Sequence, residues 1–229
     1  SAIGIDCDLH ILPNSIRQEE LIKVIEGLNQ DDTIDAILVQ LPVPKHIDRN
    51  AILSAIDYRK DVDGLHPMNV GLLNSSQKGV IPCTPRGIIS LLKEEGIEIT
   101  GKHCVVIGRS NLVGKPMAQL MLNENASVTI CHSKTRDLAA LTRQAEILII
   151  AIGCPNLVTA EMLKEGAVVI DVGINNVDGK LVGDIYNSID VSGIEKKAAA
   201  ISPVPGGVGP MTIASLLQNT VDLYKMHIQ

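Results

Sequence analysis

Apolar positions change their spacing along the chain, and each spacing predicts an element. Ile5, Cys7, Leu9 and Ile11 alternate with polar residues, which predicts a half-buried strand. Leu21, Ile25 and Leu28 then recur at helical spacing behind Pro13-Asn14-Ser15, and Ser15 with Gln18 has the form of a capping box. A second strand is expected over 34–41. It ends in Gln40-Leu41-Pro42-Val43-Pro44, where prolines cannot continue a ladder. A short helix is expected over 50–56. The stretch 61–81 shows no period and predicts a long, mostly irregular connection, a type that in compact domains is usually functional or disordered.

Thr84-Pro85 opens a helix with a hydroxyl cap and a proline in the first turn. Ile88, Leu91 and Leu92 give that helix an apolar face, and Gly96 ends it. This helix is expected to bridge two domains. Beyond Gly101 the pattern repeats as strand then helix, with strands over 103–107, 127–131, 147–151 and 167–172 and helices over 113–122, 136–144 and 160–164. Short apolar strands alternating with helices imply a parallel sheet wound on both faces. The segment 176–184, with Asp178-Gly179, predicts a hairpin insertion. A last short strand over 200–201 leads through a Pro/Gly-rich loop, 203–210, to a final helix from Met211 to about Tyr224. The fold class is therefore α/β with a Rossmann-like, doubly wound sheet. The expected domains are 1–83, 84–205 and a C-terminal helix segment 206–229.

Composition narrows the function classes. At 229 residues the chain can hold two small α/β domains. A net charge of −6 without a basic stripe argues against a nucleic-acid partner, and three Tyr with no Phe or Trp leave few platforms for base stacking. No apolar run reaches membrane-spanning length and no signal peptide is visible, so a cytoplasmic protein without a membrane partner is expected. The five cysteines form no C-x-x-C pair. Cys104 and Cys131 sit in strand-like runs, which predicts buried thiols in a reducing compartment. The histidines show no metal spacing, so no bound metal is expected. The chain starts at Ser1 with only four residues before the first expected strand, as if partway into a domain.

The candidate chemistry centres on Gly108-Arg109-Ser110-Asn111-Leu112-Val113-Gly114, set between an expected strand and an expected helix. Strand, glycine turn and helix together aim backbone N–H groups at a phosphate, although Ser110 departs from G-x-G-x-x-G and a plain tight turn would look the same. NAD enzymes place a carboxylate about 20 residues beyond such a loop to bind the ribose 2′-hydroxyl. Here the strand over 127–131 runs into His132-Ser133-Lys134-Thr135. A hydroxyl and a cation there, with Arg109, suit a 2′-phosphate and point to NADP, although the same residues could simply cap the next helix. Gly153, Gly173 and the 206–209 loop also fall at strand ends, where ligands bind in open sheets and where ordinary turns also occur. Gln40, closing an apolar strand, and Asp63, in Lys60-Asp61-Val62-Asp63-Gly64, are the polar residues singled out in the first domain.

Six stretches carry a resemblance: Val39-Gln40-Leu41-Pro42-Val43-Pro44, Lys60-Asp61-Val62-Asp63-Gly64, Pro82-Cys83-Thr84-Pro85, Gly108-Arg109-Ser110 through Val113-Gly114, Cys131-His132-Ser133-Lys134-Thr135, and Pro203-Val204-Pro205-Gly206-Gly207-Val208-Gly209-Pro210-Met211-Thr212. In this order they resemble the bifunctional methylenetetrahydrofolate dehydrogenase/cyclohydrolase family. The resemblance implies NADP-dependent oxidation of 5,10-methylenetetrahydrofolate, then hydrolysis of the methenyl product to 10-formyltetrahydrofolate. It implies that the first domain binds folate, that long helices join the two domains, that the final helix packs back on the first domain, and that the protein is a homodimer. By matching motif, Gly108, Arg109 and Ser110 would hold the dinucleotide phosphates, Ser133 the 2′-phosphate, and Ile174 would lie by the nicotinamide. Asp63 would bind the pterin and Gln40 would orient the general catalyst. Val39 and Leu41 would join them in the folate site, which Pro205, Gly206, Gly207, Val208 and Gly209 would wall.

The family's Tyr-x-x-x-Lys, whose lysine serves the hydrolysis, has no counterpart in this sequence; about 50 further residues carrying it are expected ahead of Ser1. Two other readings stay open: an NADP oxidoreductase acting on a small acid, and a non-catalytic or dehydrogenase-impaired dinucleotide-binding protein.

Overall fold

Short β-branched apolar runs are stable as strands only where a sheet buries both their faces, and the centre of this chain provides one. The computed structural model describes residues 3–177, 179–185 and 191–228. Helices α1 (Gln18–Gln30), α2 (Arg49–Ala55), α3 (Pro67–Asn74) and α4 (Cys83–Glu94) come first. Next follow β1 (His103–Ile107), α5 (Gly114–Asn123), β2 (Ser127–Cys131), α6 (Leu138–Thr142), β3 (Ile147–Ile150), a 3-10 turn (Ala160–Met162) and β4 (Val168–Asp171). A hairpin of β5 (Asn175–Val177) and β6 (Lys180–Val182), then α7 (Val191–Lys197), β7 (Ala200–Ile201) and α8 (Val208–His227), complete it.

The strands lie in the order β2-β1-β3-β4-β7, all parallel. Alternate residues feed two cores. Cys104, Val106, Ile147 and Ile149 pack with α4 and α5 on one face. Val105, Ile107, Leu148 and Ile150 pack with Ile194 of α7 and Leu163 on the other. Cys104 and Cys131 are buried free thiols, as expected, and burial pushes the Cys104 thiol up to about 12. The hairpin is antiparallel; Asp178 of its expected turn lies outside the described residues.

Several expectations need correction. Residues 5–11 form no strand: a strand needs a ladder partner, none of the described residues pairs with this run, and Leu9 and Ile11 remain 80% and 84% exposed. The strand expected over 34–41 is reduced to one parallel bridge, Ile37 to Asp61, for the same reason. Helix α1 begins at Gln18, capped from Arg17 and not Ser15, because the Glu20 carboxylate reaches back to the Arg17 N–H and guanidinium. The 61–81 connection contains α3, nucleated by Pro67 in its first turn and by the His66 Nδ1, which accepts the Met68 N–H at 3.0 Å. Its period is hard to see because Asn69 occupies a buried position. Its amide donates to Tyr58 O and Asp61 Oδ2, both at 2.8 Å. Helix α4 starts at Cys83, ahead of Thr84, and α8 starts at Val208, ahead of Met211. The expected helix over 160–164 is a 3-10 turn, and that over 136–144 shortens to α6 behind the Asp137 cap.

Candidate functional site

Ligands in open α/β sheets sit beyond the carboxyl ends of the strands, where the winding changes direction. Here that point is the β1/β3 junction: the chain leaves β1 for β2 on one side and returns to β3 on the other. Gly108 follows β1 at φ +123°, and its N–H donates to Cys131 O at 2.8 Å. A Cβ on Gly108 would stand 2.3 Å from Ala151 O, and one on Gly114 would stand 2.3 Å from Gly108 O. Both glycines are therefore required by close approach of backbone to backbone, which fixes the loop at the strand ends. The Ser110 hydroxyl accepts the Val113 and Gly114 N–H groups at 3.1 and 3.3 Å, fixing the entry to α5. The Gly108–Cys131 bond joins this loop to the turn after β2. There the Thr135 hydroxyl accepts the His132 N–H at 2.8 Å, and Ser133 and Lys134 face solvent, as does Arg109. Exposed Arg109, Ser133 and Lys134 around a glycine turn that opens α5 fit the phosphates of a dinucleotide.

The next strand ends carry two residues that the sequence alone did not single out. Asp171 and Asp184 are each 1% exposed. Asp184 Oδ2 accepts the Ile152 and Gly153 N–H groups at 3.0 Å, and its Oδ1 accepts from Asn175 Nδ2 at 3.0 Å. Asp171 accepts the N–H groups of Gly173, Asp184 and Ile185 at 3.1, 2.9 and 2.9 Å. A Cβ on Gly173 would collide with the Asp184 carboxylate, and one on Gly183 with that of Asp171. The only sequence trace of this arrangement is that pair of glycines, each close to an aspartate. Ile174 sits between the two pinned residues and is 65% exposed.

A second cluster forms where the 61–64 turn meets α4 and α8. Gly64, at φ +69°, lies so close to Ile81 and Pro82 that a Cβ would stand 2.7 Å from either backbone. This seats half-buried Asp63 beside the Cys83 thiol. Burial raises the Asp63 pKa; the Cys83 thiol opposes this and the charge of Asp61 adds to it. Burial, then the Asp63 charge, pushes the Cys83 thiol far above its ordinary value. Asn219 of α8 is buried here as well: its amide donates to Val62 O at 2.8 Å and Ile81 O at 3.0 Å, and its oxygen accepts from Arg86, which also pairs with Asp222 at 2.9 Å. The 205–209 loop leads straight into this contact. Gly207 turns back on Pro203 O at 3.0 Å, and Thr212 donates to Thr84 at 3.1 Å, one residue from Cys83. Pro205 and Gly206 are exposed, Gly209 is half-buried, and Val208 is core.

Gln40 departs from its expectation. It is exposed, closes no strand, and its amide donates to the neighbouring Leu41 O at 3.0 Å. Val39 and Leu41 are half-buried. The Ile37–Asp61 bridge is parallel, so the chains run in one direction towards Gln40 and Asp63. Lys60, beside the bridge, is spent on structure: its ammonium donates to Leu28 O, Asn29 O and Asp31 O at 3.1, 2.9 and 2.7 Å, capping the end of α1.

Comparison with known proteins adds independent findings. Residues 82–228 match the family model of the tetrahydrofolate dehydrogenase/cyclohydrolase NAD(P)-binding domain, and residues 1–63 that of the catalytic domain. A bifunctional protein FolD of Exiguobacterium sibiricum is 54% identical over 223 residues, covering 97% of this chain and 79% of that protein. The crystal structure of the bifunctional FolD of Campylobacter jejuni matches with a TM-score of 0.89 at 52% identity, over 93% of this chain and 74% of that one. The Trypanosoma brucei enzyme, complexed with NADP and an inhibitor, matches with a TM-score of 0.88 at 42% identity, over 95% and 76%.

Proposed function

The chain belongs to the tetrahydrofolate dehydrogenase/cyclohydrolase family, and from that premise we propose how its residues serve the family's two reactions. The protein is an NADP-dependent 5,10-methylenetetrahydrofolate dehydrogenase and a methenyltetrahydrofolate cyclohydrolase that yields 10-formyltetrahydrofolate. Its cofactor is NADP, which when bound supplies the hydride acceptor.

The carrying observation for the cofactor site is the glycine loop 108–114 at the β1/β3 switch point, which opens α5 beside exposed Arg109. Backbone groups of 108–110 hold the phosphates. Arg109 and Ser133 take the 2′-phosphate, one by charge and one by hydroxyl. Ile174 covers the nicotinamide end. On the folate side, the Asp63 carboxylate accepts from the pterin amino group and ring N–H, an acceptor role that needs the ionised form. Val39, Gln40 and Leu41 line that site, with Gln40 orienting the general catalyst of the hydrolysis, and Pro205 to Gly209 wall it. Asn219 ties α8 to the backbone at Val62 and Ile81 on either side of Asp63, which supports treating 1–83 and α8 as one folate-binding unit and 84–205 as the dinucleotide unit, with the Arg86–Asp222 pair joining α8 to α4 across the two. A cytoplasmic homodimer completes the proposal, and sedimentation of the purified protein tests the dimer.

Arg109→Ala tests the cofactor assignment. Losing a hydrogen bond to a charged group costs about 1.5–3 kcal/mol, so NADP binding should weaken roughly ten- to a hundredfold by titration calorimetry while NAD binding changes far less. Equal losses for the two cofactors would remove Arg109 from the 2′-phosphate site.

A further inference from the structure

An exposed isoleucine is ordinarily free to move with its loop. Ile174 is not: its preceding neighbour, Gly173, is held through its N–H by Asp171, and its following neighbour, Asn175, is held through its side chain by Asp184. The same Asp184 carboxylate fixes Gly153, an exposed glycine at φ +61° in the adjacent strand-end loop. Asp171 in turn fixes the backbone of Asp184 itself. Two buried carboxylates thus immobilise two solvent-facing loops at the ligand end of β3 and β4. Core packing does not account for this, since neither Ile174 nor Gly153 is in a core. Charge-assisted bonds to backbone N–H groups are the strong and directional kind, and a surface held that rigidly is suited to aligning a bound ring.

We propose that Asp184, seated by Asp171, is a positioning residue for hydride transfer. It holds the Gly153 and Ile174 loops as a fixed platform for the nicotinamide ring. The proposal rests on the assignment of Ile174 to the nicotinamide end. The role is specific to one of the two activities, because hydrolysis of the methenyl group needs no aligned nicotinamide.

The test uses the full-length protein with Asp184→Ala and Asn175→Ala. In the cofactor-free protein, amide exchange should quicken at 152–153 and 173–175 and stay unchanged in β1. Misplacement by about 1 Å can cost roughly 10²-fold, so dehydrogenase kcat should fall by about that factor in Asp184→Ala. The isotope effect with deuterium on the bridging methylene carbon should rise, and cyclohydrolase kcat should hold. Asn175→Ala removes only a half-buried partner, and it gives the same split on a smaller scale even where Asp184→Ala fails to fold. Asp184→Asn keeps an oxygen for the Ile152 and Gly153 N–H groups while Asn175 can turn its amide to accept, and it should recover most of the loss. A parallel fall in both activities with an unchanged isotope effect would reduce Asp184 to a structural residue. If NADP left exchange at 108–110 unprotected in the wild type, the cofactor-site assignment would fail, and this proposal with it.

Discussion

Residues 103–201 and residues 3–63 are both rich in short apolar runs, yet the two regions use them differently. In the first, Ile147, Leu148, Ile149 and Ile150 are no more than 1% exposed, because β1 and β4 flank β3 and helices cover both faces. In the second, Ile3, Leu9 and Ile11 are exposed, and the Ile37–Asp61 bridge is its strand pairing among the described residues. Order there comes from a small apolar core between helices and from polar clasps. Asn29 of α1 donates to Ala55 O at 2.7 Å and accepts the Asp57 N–H at 2.8 Å, while Lys60 caps α1. The difference teaches that an alternating pattern states only which side of a strand would be apolar. Whether the strand exists depends on a neighbour that supplies the other half of the ladder.

The largest effect expected separates these regions directly. Ile149→Ala removes a fully buried side chain and should cost about 2–5 kcal/mol in urea unfolding. Ile11→Ala, in the polypeptide Ser1–Gln229, alters a residue 84% exposed and should stay within about 0.5 kcal/mol. A large loss at Ile11 would mean that its run had found a sheet partner, and the contrast would collapse.

A second effect sharpens the boundary between the regions, where function and stability oppose each other. Burial raises the Asp63 pKa above its ordinary carboxylate value. The neutral form is thus the one the fold favours. Its stabilising contribution is complete below the ordinary value and is lost as pH rises through the raised one. At neutral pH the ionised carboxylate is therefore a burden on the fold, which the proposed acceptor role would explain. Asp63→Asn should raise the melting temperature at neutral pH, with the gain disappearing on acidification through the raised pKa, and should weaken folate binding roughly ten- to a hundredfold. The wild-type folate KM should climb over the same acid range. A fall in melting temperature at neutral pH would mark Asp63 as a structural turn residue instead.

The wound sheet was legible because its inner strands β1, β3 and β4 are short β-branched runs, buried on both faces, between glycines and helices of clear period. The glycine loop 108–114 was legible for a related reason: Gly108 and Gly114 are dictated by backbone contacts close in sequence and by one neighbouring strand. The first region was misread because its runs carry the local signal without the partner. Helix α3 escaped because the buried Asn69 breaks the apolar period. Asp171 and Asp184 escaped for a different reason: apart from Asn175, the partners named for them are backbone N–H groups, which almost every residue has, so residue type hardly betrays the contact.

The smallest effect concerns how independently the two regions hold together. Gly27 lies in α1, facing solvent, and a Cβ added to it would meet nothing within 4 Å, so Gly27→Ala meets no steric objection. Replacing an exposed glycine inside a helix gains about 0.5–1 kcal/mol by reducing the freedom of the unfolded chain. Where that gain is seen depends on cooperativity. Proteins open locally in units whose stability tracks their buried contacts. Region 3–63 buries Leu21, Ile25, Ile37, Ile47, Ile52 and Ile56 in a core of its own. It meets the rest through Val62 and Leu223, the Asn219 clasp, the Asn69 bonds to Tyr58 O and Asp61, and the His227–Asp35 pair. A small core joined mainly by polar contacts should open before the sheet does. Amide exchange at Leu21 and Ile25 should therefore slow by a few-fold in Gly27→Ala, as that gain implies, while β1 and β3 amides keep their wild-type rates. Equal slowing in both regions would show that they unfold as one unit, with the α4–α8 contact strong enough to erase the difference between them.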